Sequence, residues 1–119
     1  MQIKTSRKAG FTLVEIMIVV AIIGLLAAIA IANFVKARTT AQTNACIANL
    51  KQLDGAKEQY ALEEKLAPDA AVSLTDVAGG TDKHIKVSPE CPAGGTYELT
   101  DVASAPTCTV GDPHVLPEP

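Results

Sequence analysis

Between residues 16 and 32 the chain reads IMIVVAIIGLLAAIAIA, and Gly24 is the one residue outside the apolar set. As a helix, residues 11–34 would extend roughly 36 Å, enough to cross a hydrocarbon core about 30 Å thick. A chain of 119 residues has room for one domain, and so small a domain cannot wrap such a rod on every side. The run therefore points to a membrane-spanning segment. An ordinary secretory signal peptide is the competing reading, with AAIAIA at 27–32 offering a small-residue cleavage site. Against it, the run exceeds the usual apolar stretch of about 7–15 residues. It also includes Glu15 near its start, where a signal peptide gains nothing from a carboxylate.

The apolar share of 48% averages this segment with a polar remainder. Aromatics are 3% and tryptophan is absent, so any core outside the membrane is small and needs a staple or oligomerisation. The formal charge is −3, from 10 Lys and Arg against 13 Asp and Glu. Lys4, Arg7 and Lys8 all precede the apolar run; without them 7 cations face 13 anions, a net −6. Such a chain is ill suited to gripping a phosphate backbone, and no nucleic-acid partner is expected.

Helical patterning continues past the membrane segment. Cys46, Leu50, Leu53, Lys57 and Tyr60 follow one another at intervals of 4, 3, 4 and 3, one stripe along a helix. Ile47, Ala56 and Ala61 widen the stripe, and Asn49, Lys51, Glu58 and Glu63 take the remaining surface. Pro68 is the first proline and disfavours helix at Ala67. The spacing predicts one helix over 11–66, about 84 Å long. Its outer half, residues 36–66, must lie against something. Gly55 interrupts it at a cost of roughly 1 kcal/mol, which close packing of another segment would explain.

Residues 67–119 hold all seven prolines. SLTD at 73–76 predicts a capped helical turn stopped by Gly79 and Gly80. Residues 96–102 alternate as a strand, with 106–110 as partner; so small a hairpin has to pack on the helix stripe. The expected class is α+β, a long N-terminal helix packed against a small antiparallel hairpin. Cys46, Cys91 and Cys108 follow a membrane-crossing signal, a context that favours export and at least one disulfide. Cys91 and Cys108 enclose a loop of about 15 residues, and closing it would stabilise by roughly 3 kcal/mol. They are the expected pair, with Cys46 the alternative partner.

The basic start ending in Ala9 and Gly10, followed by FTLVE at 11–15 and the apolar run, resembles the N-terminus of type IV pilins and of the pseudopilins of type II secretion and DNA-uptake systems. The likeness is specific over residues 8–33. It implies that residues 1–10 are a leader, cut between Gly10 and Phe11 by a prepilin peptidase that also methylates the new amine of Phe11. Residues 11–35 would anchor the subunit in the inner membrane and then form the core of a helical filament of like subunits, built by an inner-membrane assembly platform. The C-terminal region would lie outside the cytoplasm. Glu15 would pair with the Phe11 amine of a neighbouring subunit. The chain departs from the pattern at Ala32, where many relatives carry proline. It also reads CPAGGTY at 91–97, where major secretion pseudopilins carry a tryptophan motif and a calcium loop; this looks closer to short cysteine-containing pilins of the competence type.

Glu15 also has a physical case of its own. A carboxylate costs about 2.5–3.5 kcal/mol near the centre of a membrane helix, less toward an end. Four residues from the cleaved terminus it suits the helix dipole and complements a new ammonium in a dry core. The plainer alternative is a solvated interfacial charge. Gly24, Ala28 and Ala32 fall at i, i+4 and i+8, a seam that lets helices approach closely in lipid or an ordinary Ala-rich stretch. His84, Cys91, Cys108 and His114 offer zinc-binding atoms without a close pair, so a disulfide is preferred and no metal or cofactor is expected. Glu98, Asp101 and Asp112 match no calcium loop, and no catalytic constellation is present. Two classes remain: a filament subunit, or a small binding domain whose apolar helix is only an anchor or signal.

Overall fold

The computed structural model describes Gln2 and residues 10–117. The expected leader therefore lies outside the described residues, apart from Gln2 and Gly10. The class is α+β. Helix α1 (Leu13–Glu63) is followed by the single turn α2 (Leu74–Val77) and by two short strands, β1 (Tyr97–Glu98) and β2 (Thr107–Cys108). The chain divides into two units, Met1–Ala37 and Arg38–Pro119, and α1 contributes to both.

In the first unit nothing among the described residues covers the helix. Phe11, Leu13, Val14, Leu25 and Phe34 are all more than 60% exposed, and residues 11–35 carry apolar side chains on every face. This is the segment of α1 long and apolar enough to cross a membrane. The helix runs unbroken through Gly24 and Ala32.

The second unit is built on the predicted stripe. Cys46, Leu50, Leu53, Ala56, Lys57 and Ala61 are the buried residues of α1, and Tyr60 packs at the edge of the same core. Val72, Val77, Ala78, Cys91, Tyr97 and Cys108 close over them from the C-terminal region. Leu50 and Leu53 are fully buried, each contributing about 1.5–3 kcal/mol. Lys57 is buried by its stem, while its ammonium donates to the Ser104 carbonyl and pairs with Asp54 at 3.2 Å. Gly55 is exposed, with nothing within 4 Å of where a side chain would begin. Close packing is therefore not what places a glycine there.

Helix α1 stops earlier than residue 66. Lys65 takes φ +54° and the Leu66 N–H donates to the Ala61 carbonyl at 2.9 Å, the six-to-one bond that closes a helix with a left-handed residue. Leu66 then packs on the core. The turn α2 forms as expected: the Asp76 carboxylate accepts from the Ser73 N–H at 2.8 Å and hydroxyl at 2.7 Å, and Gly79 follows at φ +90°.

The hairpin is shorter than its alternation suggested. Tyr97 pairs with Cys108 and Glu98 with Thr107 in antiparallel register. Beyond Glu98 the chain turns to the segment leaving α1, where Ala71 bridges Asp101, the Val72 N–H donates to Thr100 O and the Val102 N–H to Ala70 O. Pro106, just before β2, has no N–H to extend the ladder with β1. The backbone at Gly95 runs so close to β2 that an added Cβ would lie 2.5 Å from Val110 Cγ2 and 2.8 Å from Cys108 Sγ.

Two expectations follow. The hydrogen bonds from Ser73 hold the Asp76 carboxyl below its ordinary value of 3.8. Its contribution to stability is thus complete above the unfolded value and lost as pH falls through the folded one. Asp76→Asn should flatten that acid limb in thermal melts followed by circular dichroism between neutral pH and pH about 3. Gly95→Ala should cost about 1–3 kcal/mol, because the Cys108 sulfur it meets is buried, and the same melts measure it.

Candidate functional site

Two places in the molecule carry chemistry. The first is the start of α1. Thr12 caps the helix: its hydroxyl accepts the Glu15 N–H at 3.2 Å and its carbonyl accepts the Ile16 N–H at 3.3 Å. Sequence reasoning passed over Thr12, although Thr and Glu three residues apart ahead of an apolar run is a helix-start signal. Glu15 is the acidic residue of the first turn and is exposed, as is Phe11 at 78%. Both expected partners of the charge pair are thus displayed at the end of the bare apolar helix. Gly24, Ala28 and Ala32 are likewise exposed along it, with open space around Gly24.

The second place is a buried cluster in the unit Arg38–Pro119. Cys46 from α1, Cys91 from the loop before β1, Cys108 from β2 and His114 from the C-terminal segment bring their Sγ and imidazole nitrogen atoms within 4.8 Å of one another. All four residues are buried, between 0% and 6% exposed. The three cysteines are free thiols. Cys46 shares one cluster with Cys91 and Cys108, so the structure singles out no pair for the expected disulfide.

Polar side chains of α1 fix this arrangement. Gln42 donates to the Pro92 carbonyl at 3.3 Å, and Asn49 donates to the Glu90 carbonyl at 3.2 Å and to the Tyr97 hydroxyl at 3.0 Å. The turn after Cys91 closes with the Gly94 N–H on the Cys91 carbonyl at 2.9 Å, Gly94 standing at φ +90°. Burial pushes the Cys91 thiol up, but the N–H groups of Ala93 and Gly95 and the neighbouring thiols more than offset it, holding it at about 7. Burial pushes Cys46 up to about 12, and the same cause raises Tyr97, whose hydroxyl bonds Cys46.

The structure corrects which residues could act together. His84 is not near the cysteines: its Nε2 faces Glu63 at 3.1 Å, its ring meets Tyr60 edge-on, and its buried Nδ1 has no partner. Its place is taken by Cys46, which the sequence placed on the stripe and offered as the alternative disulfide partner. Asp101 is occupied in a turn, accepting the Ser104 N–H at 2.7 Å, and the Ser104 hydroxyl together with that N–H lowers its pKa. Glu98 lies exposed on β1. Asp112 belongs to no group of nearby metal-ligating side chains among the described residues.

Residues 5–31 match the family model of the prokaryotic N-terminal methylation motif. The chain is 38% identical over 113 residues to the type IV major pilin protein PilA of Myxococcus xanthus, a match that covers 95% of this chain and 46% of that protein. It is 30% identical over 104 residues to the type II secretion system core protein G of Klebsiella pneumoniae, with 78% of this chain and 74% of that protein covered. It is 35% identical over 106 residues to the type IV major fimbrial protein FimA of Dichelobacter nodosus, covering 82% and 68%. The chain thus spans about half the length of the Myxococcus pilin, and about two thirds or more of the other two. No solved structure matches it. An apolar helix headed by the methylation motif, carried on a chain related along most of its length to pilus and secretion subunits, places this protein in the type IV pilin and pseudopilin family.

Proposed function

We propose that this chain is a structural subunit of a type IV pilus-like or secretion pseudopilus filament. In this reading a prepilin peptidase cuts it between Gly10 and Phe11 and methylates the Phe11 amine. It waits in the inner membrane, crossing it once with the region beyond α1's apolar part outside the cytoplasm. An assembly platform then polymerises it with related subunits through α1. The observation that carries this is the naked first part of α1: apolar on every face, uncovered by any of the described residues, and bearing one carboxylate, Glu15, in its first turn. Lipid covers such a surface before assembly, and neighbouring copies of the same helix cover it afterwards. Membrane attachment alone does not call for the carboxylate.

Glu15 supplies what apolar contact lacks. Lipid tails are as apolar as leucine, so moving a helix from bilayer to filament gains little hydrophobic energy. A charge pair in a dry core is directional, and leaving one member alone there costs several kcal/mol. Glu15 meets the Phe11 amine of an adjacent subunit, and the seam of Gly24, Ala28 and Ala32 allows the close approach this needs. The Thr12 cap keeps the first turn ordered, so the carboxylate stays at a fixed height on the helix.

Intact mass and N-terminal sequencing of the protein from its own host should give a chain that starts at Phe11 with a methylated amine. A start near Ala30 would instead identify an ordinary signal peptide and remove the filament reading. Glu15→Ala should abolish filament yield in sheared fractions while leaving leader removal and membrane insertion intact, because the peptidase segment is untouched and the apolar run loses a charge. Glu15→Asp should be intermediate, the charge being kept on a shorter reach. Wild-type filament yield from Glu15→Ala at equal expression would mean that Glu15 is a solvated interfacial charge.

A further inference from the structure

The buried cluster has a geometry that neither the filament reading nor the family likeness accounts for. We propose that Cys46, Cys91, Cys108 and His114 form a tetrahedral zinc site that pins the C-terminal region to α1. The inference is independent of how the chain assembles.

The ligand set comes first. Three sulfurs and one imidazole nitrogen within 4.8 Å of one another make a complete Cys3His shell, one of the standard closed sets for structural zinc. With Zn–S about 2.3 Å and Zn–N about 2.0–2.1 Å, a regular tetrahedron has sulfur–nitrogen edges of about 3.6 Å. The Cys91 Sγ to His114 Nδ1 distance is 3.6 Å. A disulfide uses less of this arrangement: joining any two of the sulfurs leaves the third as a lone buried thiol, and any pair that includes Cys91 leaves the His114 Nδ1 facing a sulfur with no proton to share.

The histidine is also held in the tautomer that a metal needs. The Thr43 hydroxyl donates its proton to the Thr39 carbonyl at 3.0 Å. Its oxygen can therefore only accept from His114 Nε2, 3.4 Å away. The ring proton is thereby placed on Nε2, and the Nδ1 lone pair faces the thiols. A ligating histidine whose second nitrogen donates to a fixed acceptor is the usual outer shell of a zinc site.

Further contacts suit bound thiolates. Zinc uptake displaces the protons of three thiols, and Zn²⁺ with three thiolates and a neutral imidazole carries one net negative charge. The loop after Cys91 turns tightly, with the Gly94 N–H on the Cys91 carbonyl at 2.9 Å, and the Tyr97 hydroxyl is held by Asn49 at 3.0 Å in the core that contains the three cysteines. At Gly95 the backbone approaches Cys108 Sγ too closely for any side chain to intervene. The segment running through Cys91, Pro92, Ala93, Gly94 and Gly95 is thus a backbone knuckle wrapped around sulfur.

The test uses the full chain, extracted in detergent from bacterial membranes without added metal. Elemental analysis should find zinc near one per chain, and alkylation under denaturing, non-reducing conditions should modify all three cysteines. After removal of zinc by a chelator, titration with Co²⁺ should produce the visible band of tetrahedral cobalt together with thiolate charge-transfer absorption. Thr43→Val, which keeps shape and removes the acceptor for His114, should weaken Co²⁺ binding about 10–100-fold. Cys46→Ser should remove one thiolate's share of the charge-transfer band. A disulfide between any two of the cysteines in the extracted chain would overturn the proposal, as would three reduced thiols with no metal and no Co²⁺ spectrum. Unchanged Co²⁺ affinity in Thr43→Val would overturn the role of His114.

Discussion

Everything in the unit Arg38–Pro119 depends on one stripe of α1. The strands are two residues each, α2 is a single turn, and a pair of such strands has no stability of its own. The C-terminal region holds shape because Val72, Val77, Tyr97 and Cys108 have Cys46, Leu50, Leu53 and Ala56 to pack on. The helix needs that cover in return, since the stripe would otherwise be bare. The limited apolar material makes the polar contacts between the two decisive: Gln42 and Asn49 hold the backbone around Cys91, and Lys57 ties Ser104 to the middle of the stripe.

The same helix meets opposite demands along its length. Beyond residue 38 it is amphipathic and satisfied within the chain. Before residue 36 it is apolar all round and covered by nothing among the described residues. One continuous helix thus carries an exposed apolar surface in its first half and a buried stripe in its second. Changes in how the first half is covered need not disturb the second, because the buried residues of α1 begin only at Cys46.

What could be read in the sequence was what repeats. The 4-3-4-3 spacing from Cys46 to Tyr60 gave the buried face, including Lys57, because helical period alone decides it. The Ser73 and Asp76 turn was readable because a capping box is local. Features set by other segments were not. The end of α1 at Glu63 rests on Lys65 in a left-handed conformation, where glycine would have announced it. The alternation over 96–102 suggested one strand, but its second half pairs with residues 70–72, a partner that no local pattern names. Thr12 was legible and overlooked. The thiol cluster lay out of reach of spacing, since its members stand at 46, 91, 108 and 114 and meet only through the fold. What the sequence did contain was an odd number of cysteines, a histidine near the last of them, and a Pro-Ala-Gly-Gly knuckle after Cys91.

On the proposed assembly, the charge at Glu15 and the cluster at Cys46 answer the same difficulty at two points of one helix. Apolar contact is plentiful in the membrane segment and scarce outside it, and in neither place does it choose a geometry. In lipid, any sliding of one helix past another preserves apolar contact, so a register requires a group that is costly to misplace, and Glu15 is the carboxylate of the apolar segment. Outside the membrane, a few leucines and valines bury the stripe without deciding how the long loops cross it. That choice needs directional bonds, which Asn49, Tyr97 and Thr43 supply, joined on the proposed zinc site by the cysteines. Each region thus takes its stability from burial and its geometry from polar groups placed where an alternative arrangement would leave them unsatisfied.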